Sequence, residues 1–142
     1  MGGLLSEAFM ATNAALLAAR LLLAYLFLAS GVSVLGDVAA AISYFSSLGL
    51  PAPSFLTWAT CLFEIAAGVL IVVGFQTRVA ALLLSAFCVA AAFIGHYGQG
   101  GEDPTLAFMH QQAFMKDLAI AGGLLALAVA GAGGWSIDGW RR

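Results

Sequence analysis

Four long apolar stretches, Asn13 to Val34, Ser54 to Gly74, Arg78 to His96 and His110 to Ala132, take up most of the 142-residue chain. Each is close to the ~20 residues that cross a ~30 Å hydrocarbon core as a helix. A soluble domain is about 25% charged. Here charged residues make up 8% and hydrophobic ones 63%, so a water-soluble globule of this length could not cover itself with polar side chains. The mean hydropathy of +1.03 agrees. The expected fold is all-α: a polytopic membrane protein, one four-helix bundle over 1–142 with no second domain. The net charge of −2 leaves no basic footprint for nucleic acid.

The segment before Arg20 carries Glu7 and no Lys, and the apolar pattern reaches back to Ala14. The first span is therefore read as a retained helix and not as a cleaved signal. Between spans one and two, Val38, Ala41, Ile42, Phe45 and Leu48 recur on one helical face. This predicts a short amphipathic surface helix over 38–48, capped by Asp37, ended by Gly49 and cut off by Pro51 and Pro53. Gly98, Gly100 and Gly101 place a flexible loop at 97–109, with no phosphate-binding pattern around it. Arg78, Arg141 and Arg142 fall at one end of the bundle, so both termini are expected in the cytoplasm and the acidic pair Glu102 and Asp103 outside. Trp135 and Trp140 at one end, and Trp58 and Tyr97 at the other, read as interfacial anchors. Small residues at four-residue spacing, such as Ala81 with Ser85, Ala86 with Ala90, Ala119 with Gly123 and Gly122 with Ala126, predict close packing of spans three and four.

A charge inside a span costs at least ~2.5 kcal/mol near the bilayer centre and marks a partner or a cavity. The spans hold Arg20, Glu64, Lys116 and Asp117, with His96 closing the third and His110 opening the fourth. Helical periodicity aligns Asn13, Arg20 and Phe27; Thr57, Cys61, Glu64 and Gly68; Arg78, Ser85, Cys88, Ala92 and His96; and Gln112, Lys116, Ala119 and Gly123. Each set is expected to face inward. At ~1.5 Å per residue, Glu64 and Lys116 differ in depth by roughly 6 Å, and Arg20 approaches Glu64 from the opposite end. The expectation is a charge-balanced cluster of Arg20, Glu64, Lys116 and Asp117. It serves either to fix helix register or to form a polar pocket for a small ligand. Cys61 and Cys88 lie at different expected depths and are read as packing residues. No metal site is expected. No haem, flavin or iron–sulfur site is expected either, because no His pair falls at a shared depth on facing helices.

The stretch from Arg20-Leu21 to Ser30-Gly31, the segment Tyr44-Phe45-Ser46-Ser47-Leu48-Gly49-Leu50-Pro51, the run Glu64-Ile65-Ala66-Ala67-Gly68 to Gly74 with Thr77-Arg78, and Lys116-Asp117-Leu118-Ala119 to Gly122-Gly123 together resemble the DoxX family of small bacterial membrane proteins. The closing Trp135-Ser136-Ile137-Asp138 is also similar. The resemblance implies a four-helix protein of the bacterial cytoplasmic membrane, linked to redox chemistry through relatives such as the DoxD-type subunit of thiosulfate:quinone oxidoreductase. Arg20, Glu64, His96 and Lys116 match positions where that family keeps polar residues, whereas Val34 stands where it often has a Lys.

The leading expectation is a membrane redox component that binds a quinone-like or other small molecule in a polar intramembrane pocket, with no intrinsic metal cofactor and a quinone as the candidate ligand. Its ligand-binding or proton-relay candidates are Arg20, Glu64, His96, Lys116 and Asp117. If it is a catalyst, it is a quinone-linked oxidoreductase subunit. The alternative is a non-enzymatic accessory subunit of a larger membrane complex. The lipid bilayer, a partner redox subunit and a second copy of the chain are the partners these readings allow. A proton-coupled carrier is disfavoured, since no inverted repeat is visible in the spans.

Overall fold

In the computed structural model, which describes residues 2–141, helix α1 (Gly2–Gly36) is followed by a short helix α2 (Val38–Ser47) and three further long helices. These are α3 (Pro53–Val73), α4 (Thr77–Ala91, continued by a π-helical segment over Ala92–His96) and α5 (Pro104–Ala130). A last turn, α6 (Ile137–Trp140), closes the chain. Four helices are long and apolar enough to cross a membrane, as the apolar runs predict. Arg142, expected to mark the same end as Arg141, lies outside the described residues.

The caps read from the sequence are in place. Asp37 accepts from the Ala40 amide at 3.0 Å and starts α2, Gly49 leaves it at φ 72°, and Pro53 opens α3. Two helices start earlier than expected. α1 begins at Gly2 and not near Asn13, giving 35 residues and a length of about 50 Å. Residues 2–12 lack a continuous apolar run but also lack any breaker, and Ser6 and Thr12 return their hydroxyls to the carbonyls of Gly3 and Ala8. α5 begins at Pro104 and not at His110. Asp103 accepts from the amides of Thr105 and Leu106 and Pro104 supplies the fixed φ of a first helical residue.

The helices pack as two close pairs, α1 with α3 and α4 with α5. Gly31 permits the first pair: a Cβ there would sit 2.5 Å from Ile65 Cγ1. In the second, the buried Ser85 hydroxyl donates to the Ala121 carbonyl at 2.9 Å. The pairs meet around a core that includes Ala24, Phe27, Ile71, Leu84 and Leu124. Ala81 and Ser85 are buried as expected, but Ala86, Ala90, Ala119, Gly122, Gly123 and Ala126 are exposed on the outside of the bundle.

One end of the bundle, here the tail end, is tied by three charged side chains, Arg20, Asp138 and Arg78. Arg20 is 1% exposed. Its guanidinium donates to the carbonyls of Ile71 (2.9 Å) and Val72, which end α3, and to those of Ala132 (3.0 Å) and Trp135 (2.8 Å) in the tail. A cation at a helix C-terminus satisfies free carbonyls and opposes the negative end of the dipole. The complementary job at the start of α4 falls to Asp138, whose carboxylate accepts from the amides of Gln76 and Thr77, both at 2.9 Å. Asn13 accepts from the Gly134 amide, and Arg78 donates to the Ala128 and Val129 carbonyls that end α5.

Burial alone would raise the Asp138 carboxyl, but the Thr77 and Gln76 amides and nearby Arg141 outweigh it and hold the group below its ordinary value. A carboxyl lowered on folding stabilises above its unfolded pKa of ~3.9, and that contribution disappears as pH falls through the folded value. Asp138→Ala is expected to cost on the order of 1 kcal/mol at neutral pH. Thermal unfolding in detergent should show wild type losing this margin on acidification while the variant loses none at this site. Gly74 adopts φ 70°, and a Cβ there would overlap Ser136 Cβ and the Arg20 guanidinium. Gly74→Ala combines left-handed strain of roughly 1–2 kcal/mol with that overlap. The same assay should rank it as more damaging than Asp138→Ala.

Candidate functional site

The core fills the tail half of the bundle, and the opposite half, under α2, is not filled. There the two helix pairs leave a cavity of about 550 Å³, within the range of small-molecule sites. Phe27 and Cys88 belong to both the core and the cavity and form its floor. Tyr44 and Phe45 of α2 roof it. Leu26 and Ile94, each more than two-fifths exposed on the outside of the bundle, also line it. Its side wall therefore lies against lipid, between α1 and α4.

The cavity is apolar except at a few points. Glu64, 8% exposed, receives the Ser30 hydroxyl on both carboxyl oxygens at 3.1 Å. Among the described residues no Lys or Arg comes within ion-pairing distance of Glu64. Tyr44 donates to the Gly95 carbonyl at 3.0 Å, so α2 is pinned to the π-helical segment. Partial burial, and then the Asp117 carboxylate, pushes the Tyr44 phenol above its ordinary value, which keeps it a neutral donor. Thr60, His96 and Asp117 complete the polar lining.

His96 sits where the helix widens. The Tyr97 amide bonds back to the Ala92 carbonyl, five residues away, at 2.9 Å, and such π turns recur at functional sites. The His96 Nδ1 lies 3.0 Å from His110 Nδ1, and its Nε2 lies 3.7 Å from Asp117 Oδ2. Next to His96 in sequence, Tyr97 packs tilted against Phe93 and Phe114, which meet edge-on with centroids 5.2 Å apart.

The expected four-charge cluster does not form. Arg20 is taken up by carbonyls at the tail end and does not reach Glu64. Lys116 is exposed on the outside of the bundle. The inward face of α5 is one residue away from the expected one, running Asp117, Ala121, Leu124 and Leu127, with Asp117 half-buried. Glu64 is where its stripe places it: Thr57, Cys61, Glu64 and Gly68 are all buried, as are Asn13, Arg20 and Phe27. Of the third stripe, Ser85, Cys88 and Ala92 are buried but Arg78 is not. Both cysteines are free.

Sequence reasoning missed the His96–His110 contact, having found no His pair at a shared depth. The signal was the Asp103-Pro104 helix start, which lifts His110 two turns into α5 and level with the end of the π segment. Ser30, Tyr44 and His110 join the site on these contacts. Among the described residues no three His, Cys, Asp or Glu side chains are grouped to hold a metal.

Two comparisons bear on what this arrangement belongs to. The chain is 34% identical to inner membrane protein YqjF of Escherichia coli K12, over 86% of its own length and 88% of the relative's. It is 32% identical to inner membrane protein YphA of the same organism, over 87% of each chain. No solved structure matches it. Residues 15–97, which carry Arg20, Ser30, Tyr44, Glu64 and His96, match the DoxX family over more than half the chain, and the protein is a member of that family.

Proposed function

We propose that this DoxX protein is a component of membrane redox chemistry that binds a quinone headgroup in the cavity under α2. The observation that carries the reading is the cavity's composition: an apolar wall against lipid, ending in a buried carboxyl and hydroxyl with no cation among the described residues beside them. A quinone is neutral, reaches a protein through the bilayer and needs hydrogen-bond donors at its carbonyl oxygens. Ser30, Glu64, Tyr44 and His96 are polar side chains of the right type around one apolar space. An anionic substrate is a poor fit, since Glu64 and Asp117 both line the cavity while Arg20 and Lys116 are elsewhere.

A bound quinone would supply two-electron, two-proton chemistry. The chain's own residues would orient the headgroup and carry protons. Ser30 fixes the Glu64 carboxyl, and Tyr44 holds α2 over the cavity through the Gly95 carbonyl. The tail end, with Arg78 and Arg141, is assigned to the cytoplasm by its cations, and the α2 end to the opposite side.

Binding of a short-chain ubiquinone to protein in nanodiscs tests the reading. Losing one headgroup hydrogen bond of about 1.4 kcal/mol is tenfold in Kd. Ser30→Ala and Glu64→Leu are each expected to weaken binding by about that factor. Lys116→Met is expected to leave it unchanged. Equal affinity across all four proteins would remove the assigned site. A stoichiometric protein partner and no quinone on the natively extracted particle would make the chain an accessory subunit instead.

A further inference from the structure

We propose that His110, His96 and Asp117 form a proton path that joins the surface at the α2 end to the cavity, with His110 as the group that takes up the proton. The inference rests on the quinone reading only in giving the proton a destination. The path itself stands on the position of His110 and on two contacts. His110 is half-buried near the start of α5, outside the cavity lining. Its Nδ1 meets His96 Nδ1 at 3.0 Å. The other nitrogen of His96 faces Asp117 at 3.7 Å, and both His96 and Asp117 line the cavity.

The tautomers follow from this geometry. Two neutral imidazoles in Nδ1 contact must have one donor and one acceptor. An ionised Asp117 requires a proton on the facing Nε2 of His96, so His96 Nδ1 is the acceptor and His110 Nδ1–H the donor. That leaves His110 Nε2 bare and basic. A proton added there makes His110 an imidazolium. Its Nδ1 proton then passes to His96 Nδ1, and the Nε2 proton of His96 passes to Asp117 when side-chain rotation shortens their 3.7 Å separation to hydrogen-bond distance. One proton has arrived at His110 Nε2 and one has appeared on the Asp117 carboxyl, with each imidazole neutral again in its other tautomer.

The π-helical turn is what makes the contact. The extra residue in that turn leaves Gly95 on the buried stripe that continues Ser85, Cys88 and Ala92, and sets His96 half-exposed against α5. The ionisable groups around His96 are His110 and Asp117 from α5, Tyr44 from α2 at the Gly95 carbonyl, Cys88 from α4, Glu64 from α3 across the cavity and its neighbour Tyr97. None of the others within that set is in contact with His110.

Two measurements on the protein in nanodiscs without quinone test the path. Nitrogen-15 histidine spectra should show coupling through the N–H···N bond, absent in His110→Ala. After a light-triggered proton release, the infrared carboxyl band removed by Asp117→Asn should rise about a hundredfold more slowly in His110→Ala than in wild type. Added imidazole should restore the rate. His110→Gln keeps size and polarity but cannot relay, and should be as slow while unfolding at the wild-type temperature. A wild-type rate in His110→Ala, or no coupling in wild type, overturns the path. Slow protonation in the variant supports it whether or not the same preparation binds a short-chain ubiquinone, so the two readings fail separately.

Discussion

The buried guanidinium of Arg20 is the contact on which the rest of this bundle depends. In lipid, helices gain nothing from a hydrophobic drive toward one another, and they associate through packing and hydrogen bonds. Arg20 alone links α1, the end of α3 and the tail, by donating to four carbonyls that would otherwise face a nearly dry interior. Its charge is matched by helix-end dipoles and by the more distant Asp138, without a salt bridge. Such an arrangement sets orientation strictly, since five N–H groups in a fixed plane fit only one placement of carbonyls.

Closing the tail end this firmly leaves the other end free to stay open. The core residues Ala24, Phe27, Ile71, Leu84 and Leu124 are concentrated toward the Arg20 level. Above Phe27 the buried core gives way to the cavity, although the Phe63 and Phe87 rings still meet between α3 and α4, and α2 covers the gap. α2 carries no buried residue of its own. It is held by its packing on α3 and by the Tyr44 bond to Gly95. A short helix retained by few contacts is the part of this structure best suited to admit a ligand.

Periodicity made much of this legible. The apolar runs fixed four spans, and the Asp37, Gly49 and Pro53 signals placed α2 within one residue. Glu64 faced inward as its stripe requires. The errors in the helix starts have one origin, a search tuned to apolar continuity. It passed over the polar but helix-compatible lead of α1 and the Asp103-Pro104 start of α5. With the start of α5 misplaced, the inward stripe was drawn through Lys116 and not Asp117, and the histidine contact went unseen. Arg20 was a different failure. Its stripe was right, but a buried cation was assumed to seek a carboxylate, when the ends of helices offer carbonyls at the same membrane depth.

The consequence of that last point reaches the chemistry of the site. Had Arg20 or Lys116 faced Glu64, the cavity would be near neutral and could hold an anion. With Arg20 spent on carbonyls and Lys116 turned outward, the cavity is left with two carboxyl groups, a phenol, the hydroxyls of Ser30 and Thr60, the Cys88 thiol and an imidazole. Every one of these can give or accept a proton, and none carries a permanent positive charge. On the proposed quinone reading, selectivity for a neutral, proton-accepting ligand would follow from the absence of Lys and Arg among the described residues that line the cavity. The charges that make the fold stable are kept at its ends, and the groups that can change charge are gathered where the core stops.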